Sequence, residues 1–232
     1  MSGAPIHIRP TAELAERVLL PGDPGRALAL AQGLLDEPRM FNHHRGLWGY
    51  TGAAPDGRPL TIQSTGMGGP SAAIVVHELL ELGMGRAIRV GTCGALAPSL
   101  ALGDLLVASE ALSADGTSRA LEGAERVSAD RRLTDALRAQ APSVIAGTVV
   151  STDLFYDPDE SRTATWRAQE ALAVEMEAAT LFALGRLRGA PMACVLLVSD
   201  VADQEASRID ESLLAEGAQK MGRLAIAALA AP

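Results

Sequence analysis

Aromatic side chains, cysteine, histidine and positive charge are all scarce in this chain. Phe, Trp and Tyr make up 3% of its 232 residues, so Ala, Leu and Val must fill the core. That suits a sheet covered by Ala-rich helices. The 2 cysteines, Cys93 and Cys194, lie far apart, which argues against a disulfide framework or a thiolate metal site. Of the 4 histidines, His43 and His44 are immediate neighbours, a spacing that rarely converges on one ion, so no metal is expected. The net charge of −8 repels nucleic-acid phosphates and anionic lipid, and neither is expected as a partner. A small anionic substrate is still allowed, because a local arginine cluster outweighs net charge over a few ångströms. No window reaches the ~20 apolar residues of a membrane span. Residues Met1 to Pro10 carry no apolar signal core, so the expected location is the cytoplasm. Gly66-Met67-Gly68-Gly69 is not a dinucleotide fingerprint, no phosphate-loop lysine exists, and no Ser/His/Asp or Cys/His triad stands out.

What is present is an alternation of strands and helices. Arg17 to Leu20 reads as a buried strand stopped by Pro21-Gly22-Asp23-Pro24, followed by a helix from about Arg26 to Leu35. Two alternating segments flank Pro55-Asp56-Gly57 and predict a hairpin. Ser71 is the expected N-cap of a helix through Leu82. Further strands are expected at Arg86–Val90, Leu105–Ala108, Ala146–Val150 and Met192–Val198, with helices near Ala129–Gln140, Glu177–Arg188 and Glu211–Ala230. The pattern predicts one α/β domain over residues 1–232, with a mixed, largely parallel central sheet flanked by helices.

Ligands of open α/β sheets sit beyond the carboxyl ends of strands, and several such ends here carry chemistry. Gly22 lets a backbone N–H approach an anion, and Arg26 adds donors near a helix start. Arg89 lies next to the end of a buried strand, where an unpaired cation is costly, and Thr92 adds a hydroxyl. Taken alone, Arg26 also reads as a surface charge, Arg89 as a structural ion pair and Arg45 as a solvated loop arginine. Glu175 and Glu177 suit the hydroxyls of a sugar diol, or equally a helix N-terminus that favours acids. Asp200 follows the apolar run Cys194 to Ser199 and is either a general acid or a helix cap.

In this order the fragments resemble nucleoside phosphorylase family I, especially the bacterial hexameric purine nucleoside phosphorylases. The resemblance rests on Pro21-Gly22-Asp23-Pro24, Arg45-Gly46, Gly66-Met67-Gly68, Arg89-Val90-Gly91-Thr92-Cys93-Gly94, Asp153-Leu154-Phe155-Tyr156, Val174 to Ala179 and Val198-Ser199-Asp200. It implies a nucleoside phosphorylase-like fold and phosphorolysis of purine nucleosides to free base and ribose 1-phosphate. Gly22, Arg26, Arg89 and Thr92 would hold phosphate, with Arg45 reaching in from a neighbouring subunit. Met67, Met176 and Glu177 would hold ribose, with His7 closing the pocket across the interface. Cys93, Gly94, Phe155, Val174 and Glu175 would meet the base. Asp200, supported by Ser199, would protonate N7. The resemblance implies a homohexamer built as a trimer of dimers, and no cofactor beyond phosphate as co-substrate.

Two departures stand out. Thr92 replaces the serine usual in the phosphate loop and keeps its hydroxyl. The family's purine enzymes also have an arginine beyond the aspartate that assists proton donation; the usual spacing lands on Leu213, and Arg208 fits only through a shortened loop. Uridine phosphorylase is the alternative, yet Asp157 to Arg162 holds no Gln-x-Arg pair for uracil. A nucleosidase should lack the arginine cluster, and a binding protein with a dead site should lack Glu177 or Asp200.

Overall fold

The computed structural model describes residues 5–201 and 208–231. Strand β1 (Arg17–Leu20) is buried along its whole length. It ends at the Pro21-Gly22 turn, where Asp23 caps helix α1 (Pro24–Leu34) by accepting from Arg26 N. Strands β2 (Asp36–Asn42), β3 (Gly49–Ala53) and β4 (Pro59–Gln63) form an antiparallel run, and β3 and β4 are the expected hairpin. Helix α2 (Gly69–Glu81) follows. Its N-cap is Gly68 rather than Ser71, because the Ser71 hydroxyl donates to Thr65 O at 2.6 Å from inside the first turn.

Strand β5 (Arg86–Ala95) runs beyond the expected Val90, straight through Gly91-Thr92-Cys93-Gly94. Strand β6 (Leu105–Ala114) also exceeds its expected length. Helix α3 (Gly116–Glu122), strand β7 (Arg126–Ser128) and helix α4 (Arg131–Gln140) lead to β8 (Ile145–Thr152). Helix α5 (Ser161–Ala168), strand β9 (Ala171–Glu175) and helix α6 (Ala178–Arg188) precede β10 (Met192–Val201), and α7 (Glu211–Ala230) closes the fold.

All the described strands join one mixed sheet. β1 pairs in parallel with β4 and β5, β5 with β10, and β8 with β6 and β9; β10–β6 and β5–β9 are antiparallel. The pairings β5–β10–β6–β8–β9–β5 close on themselves into a small barrel, while β1, β4, β3 and β2 extend the sheet from one flank of β5. β5 is therefore shared. Residues 86–89 lie beside β1, and Gly94–Ala95 lie beside β9. Where β1 departs and β9 arrives a crevice opens along β5, the topological switch at which α/β sheets bind ligands.

Two apolar layers hold this frame. On one side α2 and α6 bury Val75, Val76, Leu79, Leu181 and Phe182 against the sheet. On the other, α1, α4 and α7 bury Leu30, Leu137, Met221 and Ile226. Among the described residues no helix is long and apolar enough to cross a membrane.

Candidate active site

A cavity of about 890 Å³ occupies the crevice, within the range of small-molecule sites. Its floor is the second half of β5, and its walls are the Gly22 turn, the Gly66-Met67 loop, the β9–α6 junction and the end of β10.

Arg89 is the centre of the floor. Its Cα partners are Leu20 in β1 and Cys194 in β10, so strands enclose it on both sides and only 4% of the residue is exposed. A Cβ on Gly91 would lie 2.6 Å from Arg89 Cζ, so the guanidinium folds over a residue with no side chain. Nε donates to Glu175 Oε2 at 3.0 Å, and Nη2 pairs with Glu177 Oε2. Nη1 is buried without a hydrogen-bond partner among the described residues. It faces the Gly22 turn, where a Cβ would come within 3.9 Å of it. Burial works against the Arg89 cation, but the Glu177 and Glu175 carboxylates outweigh it and hold it charged.

Arg26 rises from the first turn of α1 into the same cavity. Its guanidinium forms no ion pair among the described residues. Burial lowers its proton affinity most; Asp23 opposes that and the Arg89 charge adds to it. Two arginines that repel each other around an unfilled donor make a seat for an anion. Thr92 lines the same floor.

The two acidic residues divide their work. Glu175, fully buried at the end of β9, accepts from Arg89 Nε, Ser151 Oγ, Glu177 N and Ala178 N, the backbone pair at 2.9 Å each. Glu175 was expected at the base; it lines the cavity, and its oxygens hold Arg89 and cap the first turn of α6. Glu177 turns into the cavity, with Oε1 accepting from Gly68 N and Oε2 facing Arg89. Burial raises its pKa, Arg89 counters that, and Glu175 adds to the rise. Met67, 84% exposed, and Met176 line the cavity beside it.

At the opposite end stand Cys93, Gly94, Val174, Phe155, Ser199 and Asp200. Cys93 is buried, and desolvation pushes its thiol well above the ordinary range. Ser199 Oγ donates to Asp200 Oδ2 at 2.8 Å. Arg208 lines the cavity and forms an antiparallel bridge with Asp200, and Ile209 N donates to Ser199 O at 2.8 Å. Arg208 thus lies beside the aspartate at the cavity. Leu213, reached by counting at the family spacing, lies on α7 outside the cavity lining.

His7 and Arg45 do not line the cavity of their own chain. His7 Nδ1 sits 2.7 Å from Glu78 Oε1, and the His7 carbonyl lies 3.1 Å from His44 Nδ1. Arg45 is exposed on the adjoining turn at φ 59°. The two therefore share one patch away from the crevice. The sequence reading missed Thr152, Asp157, Thr163 and Trp166, which line the cavity. They come from the end of β8, the loop after it and α5, an element with no strong periodic signal.

The model of the phosphorylase superfamily matches residues 16–230. The DeoD-type purine nucleoside phosphorylase of Geobacillus kaustophilus is 39% identical over 203 residues, 84% of this chain and 85% of that protein. The corresponding DeoD-type enzyme of Clostridium novyi is 36% identical over 195 residues, 81% and 83% of the two chains. A guanosine phosphorylase of Halorubrum lacusprofundi is 38% identical over 182 residues, 76% and 75%. Among solved structures, a uridine phosphorylase of Vibrio fischeri complexed with 6-hydroxy-1-naphthoic acid superposes with TM-score 0.84 at 28% identity, covering 93% and 91% of the chains.

Proposed function

The chain belongs to the phosphorylase superfamily, within nucleoside phosphorylase family I, and on that premise we propose that it cleaves purine nucleosides with inorganic phosphate. The products are the free base and ribose 1-phosphate, or the deoxy sugar phosphate. The observation that carries this reading is Nη1 of Arg89, buried and without a hydrogen-bond partner among the described residues, in a cavity that Arg26 also enters. A hydrolase working with water has no use for such a seat.

Phosphate binds between the Gly22 turn, Arg26, Arg89 and Thr92. Glu177 accepts from the ribose hydroxyls, and Met67 and Met176 cover the sugar. The base lies against Val174, Phe155 and the Cys93-Gly94 backbone. A phosphate oxygen bonds to C1′ as the glycosidic C–N bond breaks, and that bond's electron pair passes to the base. Asp200 gives its proton to N7 and is left as a carboxylate, which Ser199 supports. The anion beneath C1′ also offsets the positive charge that develops on the sugar. Arg208, beside Asp200, fills the place of the assisting arginine through the shortened loop. The scheme calls for no metal or organic cofactor; phosphate is the co-substrate.

His7 and Arg45 reach the site of a neighbouring protomer, which makes the dimer the smallest active unit and a trimer of dimers the full assembly. The setting is cytoplasmic nucleoside salvage. The fold match to a uridine phosphorylase keeps uridine as the second substrate to try, and Asp200 at the base end favours purines. Release of base from inosine, adenosine and uridine, with and without phosphate, tests the reading; phosphate-independent release would contradict it.

A further inference from the structure

This inference rests on the reading that Asp200 gives the departing base its proton. We infer that Gly94 is a positioning residue for that acid: Gly94 and the bulge at Ser199 form the seat that holds the Asp200 carboxylate.

Strand β10 follows β5 residue for residue from Met192 opposite Ala87 to Val198 opposite Cys93. The next pair is Asp200 opposite Gly94, so Ser199 is an extra residue in β10. Val198 is fully buried in the layer beneath the sheet. Unbroken alternation would send Asp200 toward that same layer. The extra residue shifts the phase and brings the Asp200 side chain alongside Gly94 at the cavity.

That place is open only because residue 94 has no side chain. A Cβ there would lie 2.7 Å from Asp200 Oδ1 and 3.3 Å from Val174 Cγ1. The two oxygens of the acid are unlike. Oδ2 accepts from Ser199 Oγ, a hydroxyl that also lies 3.4 Å from the Cys93 carbonyl. Oδ1 has no donor among the described residues, so it is the oxygen left to carry the proton to the base. A methyl group at position 94 would displace that oxygen.

The test compares two nucleosides at saturating phosphate. Inosine needs its base protonated on departure, whereas 7-methylinosine has a base that already carries the positive charge. Gly94→Ala should lower the ratio of inosine to 7-methylinosine turnover by about tenfold. In an Asp200→Asn background the same substitution should cost less than about twofold more on inosine, because its effect runs through Asp200. Ser199→Ala, a milder change, should lower the ratio in the same direction and covers a failure of Gly94→Ala to fold. Equal losses on both nucleosides, or full additivity with Asp200→Asn, would overturn the seat and assign Gly94 to base contact or folding. Absence of phosphorolysis by the unaltered protein would overturn the underlying reading, and the seat with it.

Discussion

Arg89 Nε lies 3.0 Å from Glu175 Oε2, and both side chains are shielded from water. This pair fixes the guanidinium while leaving Nη1 without a hydrogen-bond partner among the described residues, so the proposed phosphate seat depends on the Glu175 carboxylate. Glu175→Gln keeps the shape but removes the charge and sets an amide N–H₂ among donors. At about 1.5–3 kcal/mol for a charge-assisted bond, KM for phosphate should rise roughly ten- to hundredfold. A phosphate titration under steady-state conditions measures this. An unaltered KM would mean that Glu177 alone holds the arginine.

Acid pH should weaken nucleoside binding through Glu177. Burial raises the Glu177 pKa, so the carboxylate takes up its proton at a higher pH than an ordinary glutamate. Only the ionised form accepts from both ribose hydroxyls. If Glu177 holds the ribose, KM for the nucleoside should therefore climb on the acid side, starting at a higher pH than an ordinary glutamate would give. Glu177→Gln should weaken nucleoside binding and remove that acid limb. A limb that survives in the glutamine variant would belong to another group.

Stability has its own acid-sensitive pair. Arg17 is buried and donates through Nη1 to Asp56 Oδ2 at 2.7 Å, and Asp56 also accepts from Arg58. The Arg17 hydrogen bond holds the Asp56 pKa below its ordinary value despite an opposing effect of burial. For a depressed carboxylate, the stabilisation is complete above the unfolded pKa and disappears as pH falls through the folded one. Asp56→Asn should cost about 2 kcal/mol near neutral pH by leaving a buried donor poorly matched. The gap in Tm between the two proteins should close as the solution is acidified below the range of free aspartate. A gap independent of pH would show that the pair contributes through packing.

Arg45 tests the shared site. Arg45→Ala and Asp200→Ala, each feeble alone, should recover activity when mixed and allowed to exchange subunits. In the mixed dimer one site combines an intact Asp200 with an intact Arg45 from across the interface. No recovery with exchange demonstrated would place Arg45 outside the reaction.

The fold was legible wherever a segment is apolar on both faces or periodic, as in β1, α6, α7 and the β3–β4 hairpin. β5 reads short because Gly91 and Gly94 look like a turn; in the structure they are strand positions that make room for Arg89 and Asp200. β2 is exposed over most of its length and β7 spans three residues, so neither carries an apolar signature. The acidic pair at Glu175 and Glu177 was visible as a motif. Which carboxylate turns to the wall depends on Ser151 and Arg89, residues distant in sequence. Arg208 was visible as a candidate beside Asp200, but only the Asp200–Arg208 bridge shows that the two are close, a contact that counting at the family spacing misplaces at Leu213.

In the proposed reaction, phosphate held by Arg26 and Arg89 is the nucleophile and a purine is the leaving group. The most direct measurement is base release from inosine, adenosine and uridine, each with and without phosphate. Purine should be released only with phosphate, and the sugar product should be ribose 1-phosphate. Release of purine without phosphate, or cleavage of uridine alone, would contradict this reaction.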